Sequence, residues 1–350
     1  MAEMILRVAL VGFGNVGQAF ARLLLSKRNW LLKNRGLDAE ILAISTRHRG
    51  SLVSKTPLDL QRCLELMSRH GGLAGYGPEA TDKSAEEIIS DCDADLMIEL
   101  STLNIESGQP AINHIRTAME HGMDVVTANK GPIAFSYRSL RNLARSKGVH
   151  FRFEGTVMDG APVFSLVEKT LPGCEILGLA GILNSTSNFV LTEMSRGRGM
   201  DEAIKTAQQR GFAEADASLD IDGWDAAAKI TALANVLMDA DMTPRQVDRR
   251  GIRDLTADDL VRASRSGRKI KLVATAGRFD TGIALRVAPE EVGPGSQFWS
   301  IDGTSSALTI RTDLMGELTI VESEPTVDQT AYAVFSDMLL IVESIRSGSL

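Results

Sequence analysis

The stretch ILRVALVGFGNVG at residues 5–17 decides the fold. Apart from Arg7, its first seven residues are apolar and mostly branched, which is typical of a buried strand. The glycine-rich turn GFGNVG follows without a break. Apolar residues then recur at Val16, Phe20 and Leu24, the spacing of one face of a helix. The stretch therefore predicts a strand, a tight turn and a helix in immediate succession.

The rest of the first half repeats this alternation of strands and helices. Short apolar runs at residues 40–45, 95–100 and 124–127 predict strands, and residues 110–121 predict a helix. Strands that alternate with helices form a parallel sheet that is covered on both faces. The predicted fold class is therefore α/β, with a Rossmann-type parallel sheet domain at residues 1–135.

The pattern changes in the second half of the chain. Residues 149–154 predict a strand, and consecutive apolar runs at residues 270–278 and 283–289 indicate antiparallel strands among helices. This favours a second, mixed α+β domain at residues 136–322. The segment 323–350 has apolar residues at helical spacing and predicts a terminal helix that returns to the first domain. The glycine-rich stretch at residues 66–83 predicts a loop.

Composition excludes several classes of protein. The 350 residues include 38 basic and 45 acidic side chains, for a net charge of −7. Non-specific nucleic-acid binders usually carry the opposite sign, so we expect no nucleic-acid partner. No apolar run approaches the roughly 20 residues of a membrane span, and no signal-peptide cleavage site follows the first strand. We expect a cytoplasmic protein with no membrane partner.

Cysteine and histidine usage gives no sign of a metal centre. The three cysteines, at positions 63, 92 and 174, have neither metal-ligand nor redox spacing. The five histidines form no pair with the spacing of zinc ligands. The sequence therefore predicts neither a disulfide framework nor a zinc site.

The glycines of the turn point to a dinucleotide. In the GxGxxG pattern Gly12 permits the tight turn, Gly14 lets the backbone approach a pyrophosphate, and Gly17 lets the helix pack on the strand. The free N–H groups of the helix start then face the anion. A purely structural strand–turn–helix is the alternative interpretation.

The end of the second predicted strand bears on which dinucleotide binds. A site for NAD usually has Asp or Glu there, to bind the ribose 2′-hydroxyl. This chain has Arg47 and Arg49 instead, in the segment STRHR. A guanidinium group matches a 2′-phosphate, so the sequence favours NADP(H) over NAD(H), with Arg47 as the first contact. A solvated basic loop is the alternative.

Two further clusters are candidates for the chemistry. Lys130 follows a predicted strand end, where ligands bind in open α/β folds. Five acidic residues also fall within residues 214–225. Asp225 and Lys229 are four residues apart and share one face of a helix. A site for a cationic amine and a set of ordinary exposed ion pairs are both compatible with this pattern.

Taken together, these motifs resemble the homoserine dehydrogenase family. The resemblance rests on GFGNVG at 12–17, VVTANKGP at 125–132, GILNSTSNFVLTEM at 181–194 and GFAEADASLDIDGWDAAAK at 211–229. It covers most of the chain and corresponds to the short form, without an ACT or aspartate kinase domain. It implies interconversion of L-aspartate 4-semialdehyde and L-homoserine with NAD(P)H, in threonine, methionine and isoleucine biosynthesis. It also implies that the second domain binds the substrate and forms a homodimer or higher homo-oligomer.

The resemblance assigns roles to individual residues. Lys229 matches the proton donor, Lys130 the lysine beside nicotinamide and substrate, and Glu214 and Asp225 the substrate-binding acids. Further predicted substrate-binding residues are Gly211 and Thr186. The predicted cofactor-binding residues are Gly12, Phe13, Gly14, Asn15, Val16, Gly17, Arg47, Ser101, Thr102 and Lys130. A backbone segment that binds sodium in some members is matched by Glu154, Val157, Asp159 and Ala161, with Asp159 where a small residue is usual.

The sequence is also compatible with rival functions. One is an NADP-dependent reductase of another small amino-acid semialdehyde. Another is an NADP-binding regulatory protein that has lost turnover, since Ser185 stands where the family usually has glycine and a C-terminal glycine motif is missing. A phosphorylating semialdehyde dehydrogenase would need a nucleophilic cysteine. Cys174, the one cysteine of the second domain, has no histidine close in sequence, which argues against that reaction.

Overall fold

The computed structural model describes residues 4–348, which divide into two compact units. The first unit holds the described residues up to Pro132, then Ser136–Gly160 and the chain from Thr326 onward. The second unit holds Ile133–Phe135 and Ala161–Pro325. Residues 136–160, which the sequence assigns to the second domain, thus lie in the first unit. Residues 1–3 and 349–350 of the predicted segments lie outside the described residues.

A seven-stranded sheet forms the centre of the first unit. Its strands are β1 (Met4–Val11), β2 (Leu37–Ser45), β3 (Ser51–Val53), β4 (Ala80–Thr81), β5 (Leu96–Glu99), β6 (Asp124–Thr127) and β7 (Phe151–Arg152). Their order across the sheet is β4-β3-β2-β1-β5-β6-β7. The five neighbouring strands β2, β1, β5, β6 and β7 run parallel to one another. At one edge, β3 pairs antiparallel with β2, and β4 pairs antiparallel with β3. Because β2 and β5 lie on opposite sides of β1, the topological switch point falls between β1 and β5.

A second, six-stranded sheet belongs to the second unit. Its strands are β8 (Ile176–Ile182), β9 (Asp248–Arg249), β10 (Lys269–Phe279), β11 (Gly282–Val292), β12 (Ser306–Thr312) and β13 (Glu317–Glu322). Their order is β13-β12-β8-β10-β11-β9, antiparallel except between β11 and β9. The predicted class, a Rossmann-type sheet domain with a second mixed domain, is confirmed.

Twelve α-helices lie among residues 4–348. They are α1 (Asn15–Arg35), α2 (Leu60–His70), α3 (Ala85–Asp91), α4 (Ala111–Glu120), α5 (Lys130–Lys147), α6 (Val163–Thr170), α7 (Ser185–Ser195), α8 (Met200–Gln209), α9 (Ser218–Ile221), α10 (Trp224–Leu237), α11 (Ala257–Arg265) and α12 (Val327–Ser347). Short 3₁₀ turns lie at Glu154–Thr156 and Pro244–Gln246. Among residues 4–348, no helix combines the length and apolar character needed to cross a membrane.

The core of the first unit joins the two ends of the chain. Leu6 and Leu10 of β1 pack in one buried cluster with Phe20 of α1 and with Phe335 and Met338 of α12. The side of α12 that carries Phe335 and Met338 therefore packs against the first sheet, whereas Tyr332 of the same helix is exposed. This packing fixes β1 and α1, and with them the glycine turn between the two elements.

Two stretches differ from the sequence-based prediction. Residues 66–70, predicted as loop, form the last part of α2, whose start is capped by the Asp59 side chain accepting from Arg62 N–H. The predicted strand at residues 149–154 is limited to Phe151–Arg152, because the 3₁₀ turn already begins at Glu154.

Candidate functional site

The glycine turn after β1 is packed tightly on one side and open on the other. A Cβ on Gly12, at φ +108°, would lie 2.4 Å from the carbonyl oxygen of Leu100, and one on Gly17 would lie 2.5 Å from the Gly12 oxygen. A Cβ on Gly14 would meet nothing within 4 Å. Gly12 and Gly17 are therefore required by the protein's own packing. Gly14 leaves the backbone open to an incoming group.

The start of α1 suits an anion. Gly14 is its N-cap residue and offers no side chain to the first N–H groups of the helix. Asn15 is exposed and Val16 partly exposed, whereas the Phe13 side chain is buried in the core. Phe13 can thus face a ligand only with its backbone. Free N–H groups, the helix dipole and an open backbone at Gly14 fit a dinucleotide pyrophosphate.

Arg47 lies in the exposed loop between β2 and β3. Thr46 shapes this loop: its hydroxyl accepts the Arg49 N–H at 2.9 Å and donates to the Gly50 carbonyl at 2.7 Å. Arg47 and Arg49 are both exposed. The end of β2 thus presents cationic side chains in a defined loop, close in sequence to buried Ser45.

The ends of β5 and β6 bring two further predicted residues together. Lys130 is the first residue of α5, and Asn129 caps that helix by accepting the Gly131 N–H at 3.0 Å. The amide nitrogen of Asn129 also donates to the Ser101 carbonyl at 3.0 Å. Ser101, in the loop after β5, and Lys130, at the start of α5, therefore both lie at the carboxyl edge of the sheet, and Thr102 is exposed.

In the second unit, Asn184 connects the starts of α7 and α10. Its Oδ1 caps α7 by accepting the Ser187 N–H at 2.7 Å. Its Nδ2 donates to Oδ1 of Asp220 at 2.6 Å and to Oδ2 of Asp225 at 2.9 Å. One amide thereby holds two carboxylates, from α9 and from the first turn of α10.

Lys229 lies one turn after Asp225 on α10. Its Nζ donates to the Leu183 carbonyl at 2.8 Å and lies 3.4 Å from Oδ2 of Asp225. Only 15% of the Lys229 side chain and 14% of the Asp225 side chain are exposed. The alternative of an ordinary exposed ion pair is therefore wrong for these two residues.

Asp220 has an altered acidity. Burial and the neighbouring charge of Asp225 raise its pKa above the ordinary value of 3.8. Hydrogen bonds from Asn184 and Thr186 and the charge of Lys229 act in the opposite direction without cancelling the increase. The ionised form of Asp220 is thus destabilised by the charge of Asp225, and binding of a cationic group between the two carboxylates would be favourable.

The acidic cluster of the sequence separates into different roles. Asp222 receives two hydrogen bonds from Arg253, at 2.6 and 2.9 Å, which hold the pKa of that carboxyl below its ordinary value. Asp216 accepts the Ser218 N–H, and this bond likewise lowers its pKa. These two acids stabilise the loop itself, which leaves Asp220, Asp225 and Glu214 for a ligand.

Glu214 differs from the other two because it is exposed. Its loop is held by Gln208, whose amide donates to the carbonyl oxygens of Glu214 and Ala215 at 3.0 Å each. Thr186 donates to the Phe212 carbonyl at 3.3 Å in the same loop, and Gly211 adopts φ +81° where the loop leaves α8. These contacts leave the Glu214 carboxylate accessible to a ligand.

The predicted sodium segment does not lie within one unit. Glu154, Val157 and Asp159 belong to the first unit, and Ala161 belongs to the second. Asp159 has φ +40°, and its carboxylate accepts the Thr330 hydroxyl at 3.0 Å. Within residues 4–348, no group of three or more His, Cys, Asp or Glu could hold a metal ion. The carboxylate of Asp159 is thus already engaged by the protein.

Two residues of the second unit were not assigned a role from the sequence. Asn184 is buried at the end of β8, and Asp220 precedes Asp225 by five positions. An asparagine directly before a predicted helical segment was the available signal for Asn184 as a helix cap. Its contacts with the carboxylates follow only from the fold.

Both halves of the chain match known protein families. The NAD-binding domain of homoserine dehydrogenases matches residues 12–154, and the homoserine dehydrogenase family proper matches residues 162–339. The chain is 37% identical to an NAD(+)-dependent homoserine dehydrogenase of Pseudomonas canavaninivorans, over 97% of this chain and 96% of that protein. It is 35% identical to a homoserine dehydrogenase of Methanocaldococcus jannaschii, over 97% and 99%.

A solved structure gives the same answer for the fold. A hyperthermophilic archaeal homoserine dehydrogenase in complex with NADPH superposes with a TM-score of 0.83 at 28% identity, covering 97% of this chain and 98% of that one. The glycine turn and the matched NAD-binding domain define a nicotinamide-dependent oxidoreductase. Family models match both halves of the chain, and relatives are more than 30% identical to it over nearly its whole length. The chain therefore belongs to the homoserine dehydrogenase family.

Proposed function

We propose that this homoserine dehydrogenase interconverts L-aspartate 4-semialdehyde and L-homoserine with NADP(H) as the favoured cofactor. The observation that carries the proposal is the Asn184 amide, which holds Asp220 and Asp225 together beside Lys229. A lysine donor and clustered carboxylates suit a substrate that has an ammonium group and a reacting carbonyl.

Lys229 is the proposed catalytic residue. When bound, the nicotinamide supplies a hydride to the aldehyde carbon or accepts one from homoserine. As the aldehyde is reduced, negative charge develops on its oxygen, and the Lys229 ammonium stabilises that charge and donates one proton from Nζ. In the reverse direction, neutral Nζ accepts the hydroxyl proton. The Asp225 carboxylate and the Leu183 carbonyl keep Nζ in place in both states.

The remaining charged residues bind and orient the substrate. Accessible Glu214 and the carboxylates of Asp225 and Asp220 favour the substrate's ammonium group, because a cation relieves the repulsion between the two aspartates. Thr186 and Gly211 shape the same loop. Lys130, at the start of α5, is proposed to orient the nicotinamide and the substrate.

The cofactor is proposed to bind along the carboxyl edge of the first sheet. Gly12, Gly14 and Gly17, with the backbone of residues 13, 15 and 16, would cradle the pyrophosphate. Ser101 and Thr102 would border the nicotinamide half. Arg47 would pair with a 2′-phosphate, which supports NADP(H) over NAD(H).

Further proposals follow from family membership alone. We place the enzyme in threonine, methionine and isoleucine biosynthesis in the cytoplasm. We propose a homodimer or higher homo-oligomer formed through the second unit. A sodium ion near residues 154–161 remains part of the proposal, with no catalytic role assigned to it.

The decisive experiment is a substrate comparison with the purified protein. NADP reduction is followed with homoserine and, in parallel, with serine and threonine as other hydroxy amino acids. We expect turnover to favour homoserine strongly. Absence of turnover with homoserine, or equal turnover with all three amino acids, would reject the proposed substrate and leave a reductase of another semialdehyde.

A further inference from the structure

Glu99 is a carboxylate with no exposed surface at the end of β5. It lies one residue before Leu100, whose carbonyl oxygen packs against the glycine turn at Gly12. Glu99 takes no part in the proposed proton transfer or substrate binding. Burial of a carboxylate is costly unless hydrogen bonds replace its water, so its contacts must compensate for that cost.

Both carboxylate oxygens of Glu99 have partners. Oε1 accepts the Ser101 N–H at 3.1 Å and also the Ser101 hydroxyl. The Thr127 hydroxyl lies 3.3 Å from Oε2 and 3.0 Å from the Glu99 carbonyl oxygen. Nδ1 of buried His114 lies 3.5 Å from Oε1. Glu99 therefore bonds to the loop after β5 and to the end of β6 at the same time.

Asn129 closes these contacts into a ring. Its N–H donates to the Thr127 hydroxyl at 2.9 Å, and its side-chain amide donates to the Ser101 carbonyl at 3.0 Å. The ring thus runs from Glu99 through Ser101, Asn129 and Thr127 back to Glu99. Because Asn129 also caps α5, the ring determines where that helix begins.

Steric packing holds the same two loops together independently of the hydrogen bonds. A Cβ on Gly131 would lie 3.1 Å from Cα of Gly108, and one on Gly108 would lie 3.0 Å from the Gly131 carbonyl oxygen. The loop after β5 is therefore pressed against the first turn of α5. A small shift of either loop would move both Ser101 and Lys130.

We propose that Glu99 is a positioning residue for the nicotinamide half of the cofactor, acting through Ser101 and the start of α5. The proposal rests on the cofactor site proposed above. Ligands of open α/β sheets bind beyond the carboxyl ends of the strands, and Glu99 joins two such ends beside the switch point. Hydride transfer requires close alignment of the reacting atoms, so a shift of about 1 Å can cost on the order of 100-fold in rate.

The experiment compares two pairs of variants. Glu99→Gln keeps the shape but replaces one acceptor oxygen by a donor. Thr127→Val removes the ring hydroxyl without changing the volume much, and Thr127→Ser retains that hydroxyl. Thr127 is 0% exposed and cannot itself touch a ligand at the surface. Glu193→Gln is the matched control, since Glu193 is a buried carboxylate in the second unit that pairs with Arg196 and Arg198.

Three quantities are measured: the single-turnover rate of hydride transfer, the affinity for 2′-phospho-ADP-ribose, and the fluorescence of bound NADPH. We expect Glu99→Gln and Thr127→Val to slow hydride transfer about 10- to 100-fold and to change the nicotinamide fluorescence. Because 2′-phospho-ADP-ribose lacks the nicotinamide, its affinity should be unchanged in these variants. Thr127→Ser should recover most of the rate, and Glu193→Gln should lose stability without changing rate or fluorescence.

The outcomes separate this proposal from the proposed function. If the wild-type protein fails to oxidise homoserine, the proposed reaction is wrong. The fluorescence of bound NADPH still tests whether the hydrogen-bonded ring positions the nicotinamide. Unchanged rate and fluorescence in both Glu99→Gln and Thr127→Val would overturn the positioning role. If Glu99→Gln does not fold, the Thr127→Val and Thr127→Ser pair decides alone.

Discussion

Oδ2 of Asp225 lies 3.4 Å from Nζ of Lys229, and each of these side chains is about 85% shielded from water. An exposed pair at this helical spacing would contribute only a few tenths of a kcal/mol. In a shielded pair, each charge depends on the other and on the Asn184 amide and Leu183 carbonyl that complete its contacts. Substitutions here should therefore affect both stability and chemistry, and those two effects can be separated.

Lys229→Ala should lower turnover by roughly 10²–10⁴-fold, the scale of general acid–base catalysis. It should also cost about 1–3 kcal/mol of stability, because the Asp225 carboxylate loses a charged partner. Steady-state kinetics with homoserine, and the affinity for NADPH measured on the folded variant, test this. NADPH affinity should be unchanged.

Lys229→Arg distinguishes proton transfer from simple charge stabilisation. Arginine keeps the positive charge but does not release its proton in the accessible pH range. We expect stability to recover while turnover stays low. Recovery of most of the rate would show that charge alone matters. Lys169→Ala, at an exposed lysine paired with Glu168, is the control and should leave turnover intact.

Glu214→Gln should mainly weaken substrate binding. Loss of one charge-assisted hydrogen bond to the ammonium group corresponds to about 1.5–3 kcal/mol, or roughly 10- to 150-fold in the Michaelis constant for homoserine. The affinity for NADPH should not change. The same substitution at Glu202, exposed on α8, is the control. A loss of NADPH affinity with unchanged homoserine binding would place Glu214 elsewhere.

The strands and the glycine turn were predictable because their signals are local. A short apolar run followed directly by GxGxxG is compatible with few structures. β1 begins one residue before its predicted start, and α1 follows within the glycine turn as expected. The start of α5 was not predictable in the same way. Gly131 and Pro132 look like a turn in the sequence, but proline is tolerated in the first turn of a helix, where its missing N–H has no helical partner.

The candidate site was predictable in its residue types but not in its pairing. The sequence identifies five acids near Lys229 but does not show which of them face it. That choice depends on Asn184, which lies 36 and 41 residues from its two carboxylate partners, and on Arg253, which engages Asp222. Contacts over such separations are set by the packing of β8, α7 and α10, not by local pattern.

Arg47→Asp tests the choice of cofactor. The related proteins include both an NAD(+)-dependent enzyme and an enzyme in complex with NADPH, so the choice depends on this chain's own residues. The variant should raise the Michaelis constant for NADPH by roughly 10- to 150-fold and leave that for NADH nearly unchanged. Arg145→Asp, exposed in the last turn of α5, serves as the control for added negative charge. An unaltered preference for NADPH over NADH would place the 2′-phosphate away from Arg47.

Asp220 and Asp222 lie two residues apart and have pKa values displaced in opposite directions. Burial and the charge of Asp225 raise the pKa of Asp220, whereas hydrogen bonds from Arg253 lower that of Asp222. An acid with a raised pKa in the folded state destabilises the fold once it ionises. An acid with a lowered pKa contributes stability above its unfolded value, and this contribution is lost as the pH falls through the folded value.

Asp220→Asn should therefore raise the thermal midpoint at neutral pH, because it removes a charge that the folded state disfavours. The advantage should shrink as the pH falls and disappear below the unfolded value of 3.8, where the wild-type carboxyl is protonated in both states. Asp222→Asn, the matched control, should have the opposite sign: lower stability at neutral pH, with the difference vanishing in acid. Thermal melts of the wild-type protein and the two variants across this pH range test both signs.

Homoserine oxidation should be slower in Asp220→Asn even though that variant is more stable. The Asp220 carboxylate destabilises the protein without substrate, but it is also proposed to bind the ammonium group of the substrate. If Asp220→Asn were less stable at neutral pH and fully active, Asp220 would be a structural acid like Asp222.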